Sequence, residues 1–159
     1  MTDLITRLSK LDAPDREVDA EIWLIELQSA ESDPFGGYGL AEDWGYEYEA
    51  EEDGSVIQYA RNGQVTHKIG RRSSPAFTAS IDAAIALAER VLPGWGWEIA
   101  SNTNHIKNCL NPEYGKPIGK HPHWAVVANQ SSRKFVDGAT PAIALCIAIL
   151  RAKEASNAE

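Results

Sequence analysis

Apolar residues recur at helical spacing near the start of the chain and predict two short helices. Leu4, Leu8 and Leu11 fall on one face of the first helix. Val18 and Ile22 belong to a broad apolar stripe on the second, which begins after a proline suited to a first helical turn. Because the two helices follow each other closely, they predict an N-terminal helical hairpin.

Alternation of apolar and polar side chains then predicts five strands. Their expected bounds are residues 44–49, 55–60, 65–69, 95–101 and 123–129. The Asn-Gly dipeptide at 62–63 favours a two-residue type I′ turn, since both of its positions require positive φ. Such a turn pairs Ala60 with Val65 and Gln58 with His67.

The sequence predicts two further helices, and residues typical of helix ends mark where they begin or stop. Ser80 is the expected cap of the first, which the Pro-Gly pair at 93–94 terminates. Thr140 is the expected cap of the second, with Pro141 at its first position. The second of these helices is apolar nearly all round, so we expect it to be the most buried helix and to lie across a sheet.

This order of elements, ααβββαββα, predicts an α+β fold. An antiparallel sheet would be layered between helices as an α/β/α sandwich, preceded by the N-terminal helical hairpin. The expected divisions are a hairpin over 1–30, a Gly-rich connector over 31–43, the sandwich domain over 44–155 and a disordered tail over 156–159.

The net charge of −8 is distributed unevenly along the 159 residues. Residues 1–54 hold 16 acidic and 3 basic side chains, whereas residues 55–159 hold 7 acidic and 12 basic ones. A solvated acidic face is one interpretation of this asymmetry, and a basic part that faces an anionic ligand is the other. An acidic protein of this kind is a poor candidate for binding duplex nucleic acid.

The pattern of an exported or membrane protein is missing from the sequence. The longest apolar run, residues 142–150, is too short to span a bilayer, and the N-terminus lacks the apolar region of a signal peptide. The two cysteines, Cys109 and Cys146, suit a reducing compartment. These features predict a cytoplasmic protein with no membrane partner.

Candidate binding residues concentrate in a long polar loop and two small basic clusters. The 21-residue connection between the last two predicted strands is long for a compact domain and is therefore a candidate functional loop. Its amides and cations, with the arginine pair that follows the hairpin, suit a carboxylate or phosphate, although an exposed basic turn is the other interpretation of that pair. The predicted ligand-binding residues are Arg71, Arg72, Trp95, Asn102, Asn104, Lys107, Tyr114, Lys120, His121, His123 and Arg133.

Metal and thiol chemistry are weaker alternatives. His105, Cys109, His121 and His123 carry zinc-ligand atoms, but no second closely spaced pair accompanies the His-x-His pair. Cys109 suits thiol catalysis only if the fold brings a histidine beside it. The sequence therefore predicts no cofactor and no enzymatic activity, with a metal- or thiol-dependent enzyme as the least favoured alternative.

Three segments resemble the phage ABA sandwich domain family, whose members are small proteins of bacteriophages and prophages. They are FTASIDAAIALAERVLPGWGWEIAS (77–101), HWAVVA (123–128) and GATPAIALCIAILRA (138–152), and the resemblance covers roughly residues 55–155. It implies an α/β/α layered domain and a phage or prophage context. It supplies no catalytic residues, because no chemistry is assigned to the family.

Together these features predict a non-catalytic phage or prophage accessory protein that binds a small anionic ligand. Sequestration of a nucleotide immune signal is the expected role, with Trp95 or Tyr114 stacking on the ligand ring. The alternative is an antagonist of a host protein that uses the acidic segment 42–53 as its contact surface. We expect a homo-oligomer.

Overall fold

The computed structural model describes residues 1–29, 46–60, 62–101 and 121–156. The helices in this part of the chain are α1 (Thr2–Leu8), α2 (Arg16–Ser29), α3 (Ile81–Val91) and α4 (Pro141–Ser156). The strands are β1 (Glu47–Ala50), β2 (Val56–Tyr59), β3 (Val65–Ile69), β4 (Gly96–Ser101), β5 (His123–Ala128) and β6 (Arg133–Gly138). The fold is α+β and layered, with antiparallel strands and a pair of N-terminal helices, which confirms the predicted class.

The six strands form two sheets, where the sequence predicted one. The first sheet has the order β1-β2-β3 and the second the order β4-β5-β6, and every pairing is antiparallel. β6 is absent from the predicted strands because its apolar residues Phe135 and Val136 are adjacent and do not alternate with polar ones.

Two compact units hold one sheet each. The larger unit comprises Met1–Pro14 and Phe77–Glu159, and the smaller unit comprises Asp15–Ala76. The expected connector over 31–43 and the end of the expected tail lie outside the described residues. The predicted domain boundaries therefore stay a prediction.

The core of the smaller unit forms where α2 packs on one face of the first sheet. Ala20 and Leu27 of α2 meet Val56 and Ile69 of the sheet, and all four are buried. This packing is stabilising because the helix and the sheet each have one apolar face, and the two faces are buried against each other.

The hairpin between β2 and β3 differs from the predicted one. Gln58 pairs with His67 as expected, but the register shifts after Gln58, so Val65 lies opposite Tyr59. The Ala60 amide donates to the Gln64 carbonyl at 2.9 Å, which leaves three residues in the loop. Gly63 has a φ of 77°, the left-handed position that ends a three-residue loop with a bulge. The predicted two-residue turn and the pairing of Ala60 with Val65 are therefore wrong.

The core of the larger unit is built around α4, whose residues from Ala142 to Leu150 are all buried. The helix packs on all three strands of the second sheet and also contacts α1 and α3. Its cap is as predicted, since the Ile143 amide donates to Thr140 Oγ1 at 3.1 Å. The cap of α3 is confirmed as well, because the Ala83 amide donates to Ser80 Oγ at 3.2 Å.

Candidate functional site

The two faces of the second sheet have different surroundings. α4 packs on the face that carries Ala125, Val127 and Val136, all of which are buried. Gly138 lies on the same face, and a Cβ at this position would stand 2.6 Å from the Ala144 amide nitrogen of α4. The backbones of the sheet and α4 therefore approach each other closely at Gly138.

The opposite face carries the candidate site. The register places three rows of side chains across it: Gly96, Ala128 and Arg133; then Glu98, Val126 and Phe135; then Ala100, Trp124 and Asp137. The first row opens the face, because Gly96 has no side chain and that of Ala128 is a single methyl group. Small residues at Gly96 and Ala128 next to the longer side chains of Glu98 and Arg133 form a depression on this face.

A pocket of about 420 Å³ lies over these rows. Its lining residues on this face are Gly96, Glu98, Val126, Ala128 and Arg133, and it is also lined by Asn129 of the following turn and by Trp97, which the register assigns to the other face of the edge strand β4. The volume is within the range of small-molecule sites, which are typically about 300–1,000 Å³. The side chains offer one guanidinium, one carboxylate and one amide, so the pocket is suited to bind a polar ligand.

The turn from β5 to β6 forms the end of this pocket. Asn129 Oδ1 accepts hydrogen bonds from the amides of Ser131 at 2.9 Å and Ser132 at 2.7 Å. The Asn129 amide in turn donates to the Ser132 carbonyl at 2.9 Å. Because this Asx turn is closed by its own side chain, the position of Asn129 at the pocket rim is fixed locally.

A second, smaller pocket of about 120 Å³ adjoins the same turn. It is lined by Trp95, Asn129, Ser131, Ser132, Ala155 and Ser156. Asn129 belongs to both pockets, and Trp95, a predicted site residue, is half-buried in the smaller one.

An aromatic pair lies next to the pocket on the same face. The rings of Trp124 and Phe135 are stacked with their centroids 5.2 Å apart. Trp124 is buried, and its indole Nε1 has no hydrogen-bond partner among the residues that the structure describes. A buried donor without an acceptor costs stability, so its N–H is a polar feature that packing of this face leaves unsatisfied.

The structure brings two of the predicted binding residues to these pockets, Arg133 and Trp95. Five others lie outside the described residues, together with His105 and Cys109. These five are Asn102, Asn104, Lys107, Tyr114 and Lys120. Their contribution to a site stays a prediction.

Arg71 and Arg72 belong to the smaller unit and have exposed side chains. Their turn is held by Arg16, whose guanidinium donates to the carbonyls of Ser74 at 2.7 Å and Pro75 at 3.2 Å. Arg16 also pairs with the buried Asp19 at 2.9 Å. The turn is therefore anchored through its backbone, and a role of its arginine side chains in binding stays a prediction.

The two histidines next to β5 are placed apart from both pockets. The His121 amide donates to Asp137 Oδ2 at 3.0 Å, which ties the start of β5 to β6. His123 is half-buried and pairs with Ser101 and Gly138 in the ladder. No group of three His, Cys, Asp or Glu residues in the described part of the chain is placed to hold a metal ion.

Glu98, Trp97 and Asn129 line the larger pocket but were not predicted as site residues. The sequence does carry a signal for Asn129, because the run Asn-Gln-Ser-Ser at 129–132, at the end of a predicted strand, is rich in residues typical of turns. Glu98 has no comparable signal. Its position on the same sheet face as Arg133 follows from the pairing of β4 and β6 with β5, which local patterns do not determine.

Comparison of the chain with protein-family models, with curated proteins and with solved structures found no match. In the described residues, no helix is both long and apolar enough to cross a membrane.

Proposed function

We propose that the protein is a non-catalytic binding protein for a small anionic ligand of nucleotide type. The observation that carries the proposal is the 420 Å³ pocket with Arg133 at its edge. The same proposal includes a phage or prophage context, a location in the bacterial cytoplasm and the sequestration of a nucleotide immune signal. These parts are supported by the resemblance to the phage ABA sandwich domain family.

The chemistry of the pocket supports an anionic ligand. A guanidinium presents a planar fork of donors that matches two oxygens of a phosphate or carboxylate. The Asn129 side chain at the rim retains its amide N–H donors, since its Oδ1 serves the turn. The excess of 12 basic over 7 acidic side chains after residue 54 favours the approach of an anion to this part of the chain.

The first test is native mass spectrometry of the protein purified from bacterial cells, compared with its denatured mass. A ligand of a few hundred daltons that denaturation releases would support the proposal. Isothermal titration with nucleoside monophosphates then measures affinity. Replacing Arg133 by Gln should weaken binding by about tenfold or more, since hydrogen bonds to charged groups contribute roughly 1.5–3 kcal/mol.

Lys134→Gln is the matched control for Arg133→Gln. It removes the same charge from the next residue of β6, which pairs with Val127 and lies on the face that α4 covers. Equal losses in the two variants would show a general charge effect and contradict the proposed site.

A second candidate function is antagonism of a host protein through the acidic segment 42–53. Residues 46–53 of it are described, and Glu47 and Glu49 are exposed on one face of β1. Two carboxylates side by side on an accessible strand would suit a basic partner surface. Neutralising both as Gln should abolish function under this candidate and leave ligand affinity unchanged under the first.

A further inference from the structure

Arg133 shares its pocket with a residue of opposite charge, Glu98. The ladder places Glu98 opposite Val126 and Arg133 opposite Ala128, so both side chains rise from the same face of the sheet. β5 lies between their strands. Adjacent strands are about 4.8 Å apart, and the two positions are also offset by two residues, or about 7 Å, along the strands, so the two side chains start roughly 12 Å apart.

The floor between the two charges is low and apolar. Ala128 and Gly96 rise least, and Val126 continues the floor towards Glu98. A flat ring can therefore lie on the sheet between the carboxylate and the guanidinium, where the apolar floor favours the ring face.

The charge pattern restricts the ligand more than an isolated arginine would. A carboxylate only accepts hydrogen bonds, so it repels a second anionic group at its end of the pocket. It instead favours a group with neighbouring N–H donors. A small symmetrical anion such as inorganic phosphate would contact Arg133 and would not extend as far as Glu98.

We infer that the pocket binds an elongated, dipolar ligand: a guanine nucleotide, with its base edge at Glu98 and its phosphate at Arg133. This inference rests on the proposed function and names the ligand class of the same site. Guanine presents two adjacent N–H donors, N1–H and the 2-amino group, which match the two oxygens of one carboxylate. Adenine presents one donor next to an acceptor, and that acceptor meets the carboxylate unfavourably.

The test is isothermal titration of the full-length protein with GMP, AMP and inorganic phosphate at one fixed salt concentration. GMP should bind about tenfold or more tightly than AMP, because a matched bidentate pair discriminates between bases by that order. Inorganic phosphate should bind more weakly than either nucleotide. AMP binding as tightly as GMP to the unmodified protein would overturn the inference.

Glu98→Gln is the decisive variant. The Gln amide offers one donor and one acceptor, which match adenine, so the preference for GMP over AMP should shrink or invert while phosphate affinity stays unchanged. Glu89→Gln is the control, since Glu89 is exposed on α3 and loses the same charge. Both glutamates are exposed, so both variants keep the fold.

The outcomes separate this inference from the proposed function. If Arg133→Gln weakens both nucleotides but Glu98→Gln leaves the GMP to AMP ratio unchanged, an anion site exists and the guanine inference is overturned. If neither nucleotide binds the unmodified protein, the proposed function is overturned and the inference with it. A ratio that changes in Glu98→Gln and not in Glu89→Gln supports both.

Discussion

The two sheets of this protein each have three antiparallel strands, but they differ in whether a buried polar side chain is hydrogen-bonded. In the first sheet, Gln58 is 1% exposed, and its amide donates to Tyr48 Oη at 2.9 Å and accepts from Thr66 Oγ1 at 2.8 Å. His67 Nδ1 lies 3.1 Å from the same amide oxygen. In the second sheet, Trp124 Nε1 is buried and has no such partner among the residues that the structure describes.

The first sheet therefore contains a structural hydrogen-bond network, whereas the second carries the face that we propose as a binding site. A buried amide whose donors and acceptors are met stabilises one packing arrangement and offers nothing to a ligand. The second sheet instead combines small residues, an unsatisfied indole N–H and two opposite charges on one face. Its other face packs against α4, and the two backbones approach closely at Gly138.

The contrast between the two faces of the second sheet gives the largest expected effect. Gly138→Ala would place a Cβ 2.6 Å from the Ala144 amide nitrogen and 2.9 Å from its Cα, so the backbone of α4 must move. Overpacking of this kind costs about 3 kcal/mol. Urea unfolding of the variant should show this loss as a lower midpoint with an unchanged slope.

Gly96→Ala is the control for Gly138→Ala on the opposite face. A Cβ at Gly96 would meet only the Ala128 carbonyl oxygen, at 3.9 Å, which is ordinary van der Waals contact. The unfolding midpoint should change little, while nucleotide affinity falls because a methyl group enters the pocket floor. A large stability loss in Gly96→Ala would contradict the distinction between the packed face and the open one.

A smaller effect distinguishes the satisfied amide from the unsatisfied indole. Gln58→Leu leaves Thr66 and Tyr48 without their buried partner and should lower the free energy of unfolding by about 2 kcal/mol. Trp124→Phe removes a donor that has no acceptor, which offsets part of the lost apolar area, so the expected loss is about 1 kcal/mol or less. Chemical denaturation of both variants measures the order, and the reverse order would contradict the comparison.

Local features of the fold were predictable because local chemistry determines them. The caps at Ser80 and Thr140 depend on hydrogen bonds that span three residues, and both are confirmed. The pairing of Gln58 with His67 follows from a short hairpin. The type of turn in this hairpin was not predictable, because an Asn-Gly pair suits both a two-residue loop and a three-residue loop that ends at Gly63.

The candidate site was only partly predictable for a different physical reason. Arg133 and Trp95 were identified by residue type, but the sheet that carries them was not distinguished from the first. Whether β4 extends the first sheet or joins β5 and β6 depends on strand pairing between distant parts of the chain, which local sequence patterns do not determine. The juxtaposition of Glu98 and Arg133 depends on that choice.

The smallest expected effect concerns the pKa of Asp53, a hydrogen-bonded carboxyl group in the smaller unit. Hydrogen bonds from the side chain and the amide of Ser55 hold the pKa of Asp53 below its ordinary value of 3.8, and the charges of Lys68 and Arg71 contribute less. The Ser55 amide donates to Asp53 Oδ1 at 2.9 Å. Because the folded-state pKa is lowered, the stabilising contribution of Asp53 is present above pH 3.8 and is lost as the pH falls through the lowered value.

Carboxyl titration by NMR should therefore show the Asp53 pKa rising in Ser55→Ala, towards the unfolded value but short of it, since the amide donor remains. Lys68→Gln should raise it by less, because a charge at an exposed carboxylate is screened whereas a hydrogen bond acts at contact. A larger rise in Lys68→Gln than in Ser55→Ala would mean that the general basic field of β3, and not local hydrogen bonding, determines the behaviour of this turn. The turn at Asp53 would then no longer illustrate the satisfied hydrogen bonds that distinguish the first sheet.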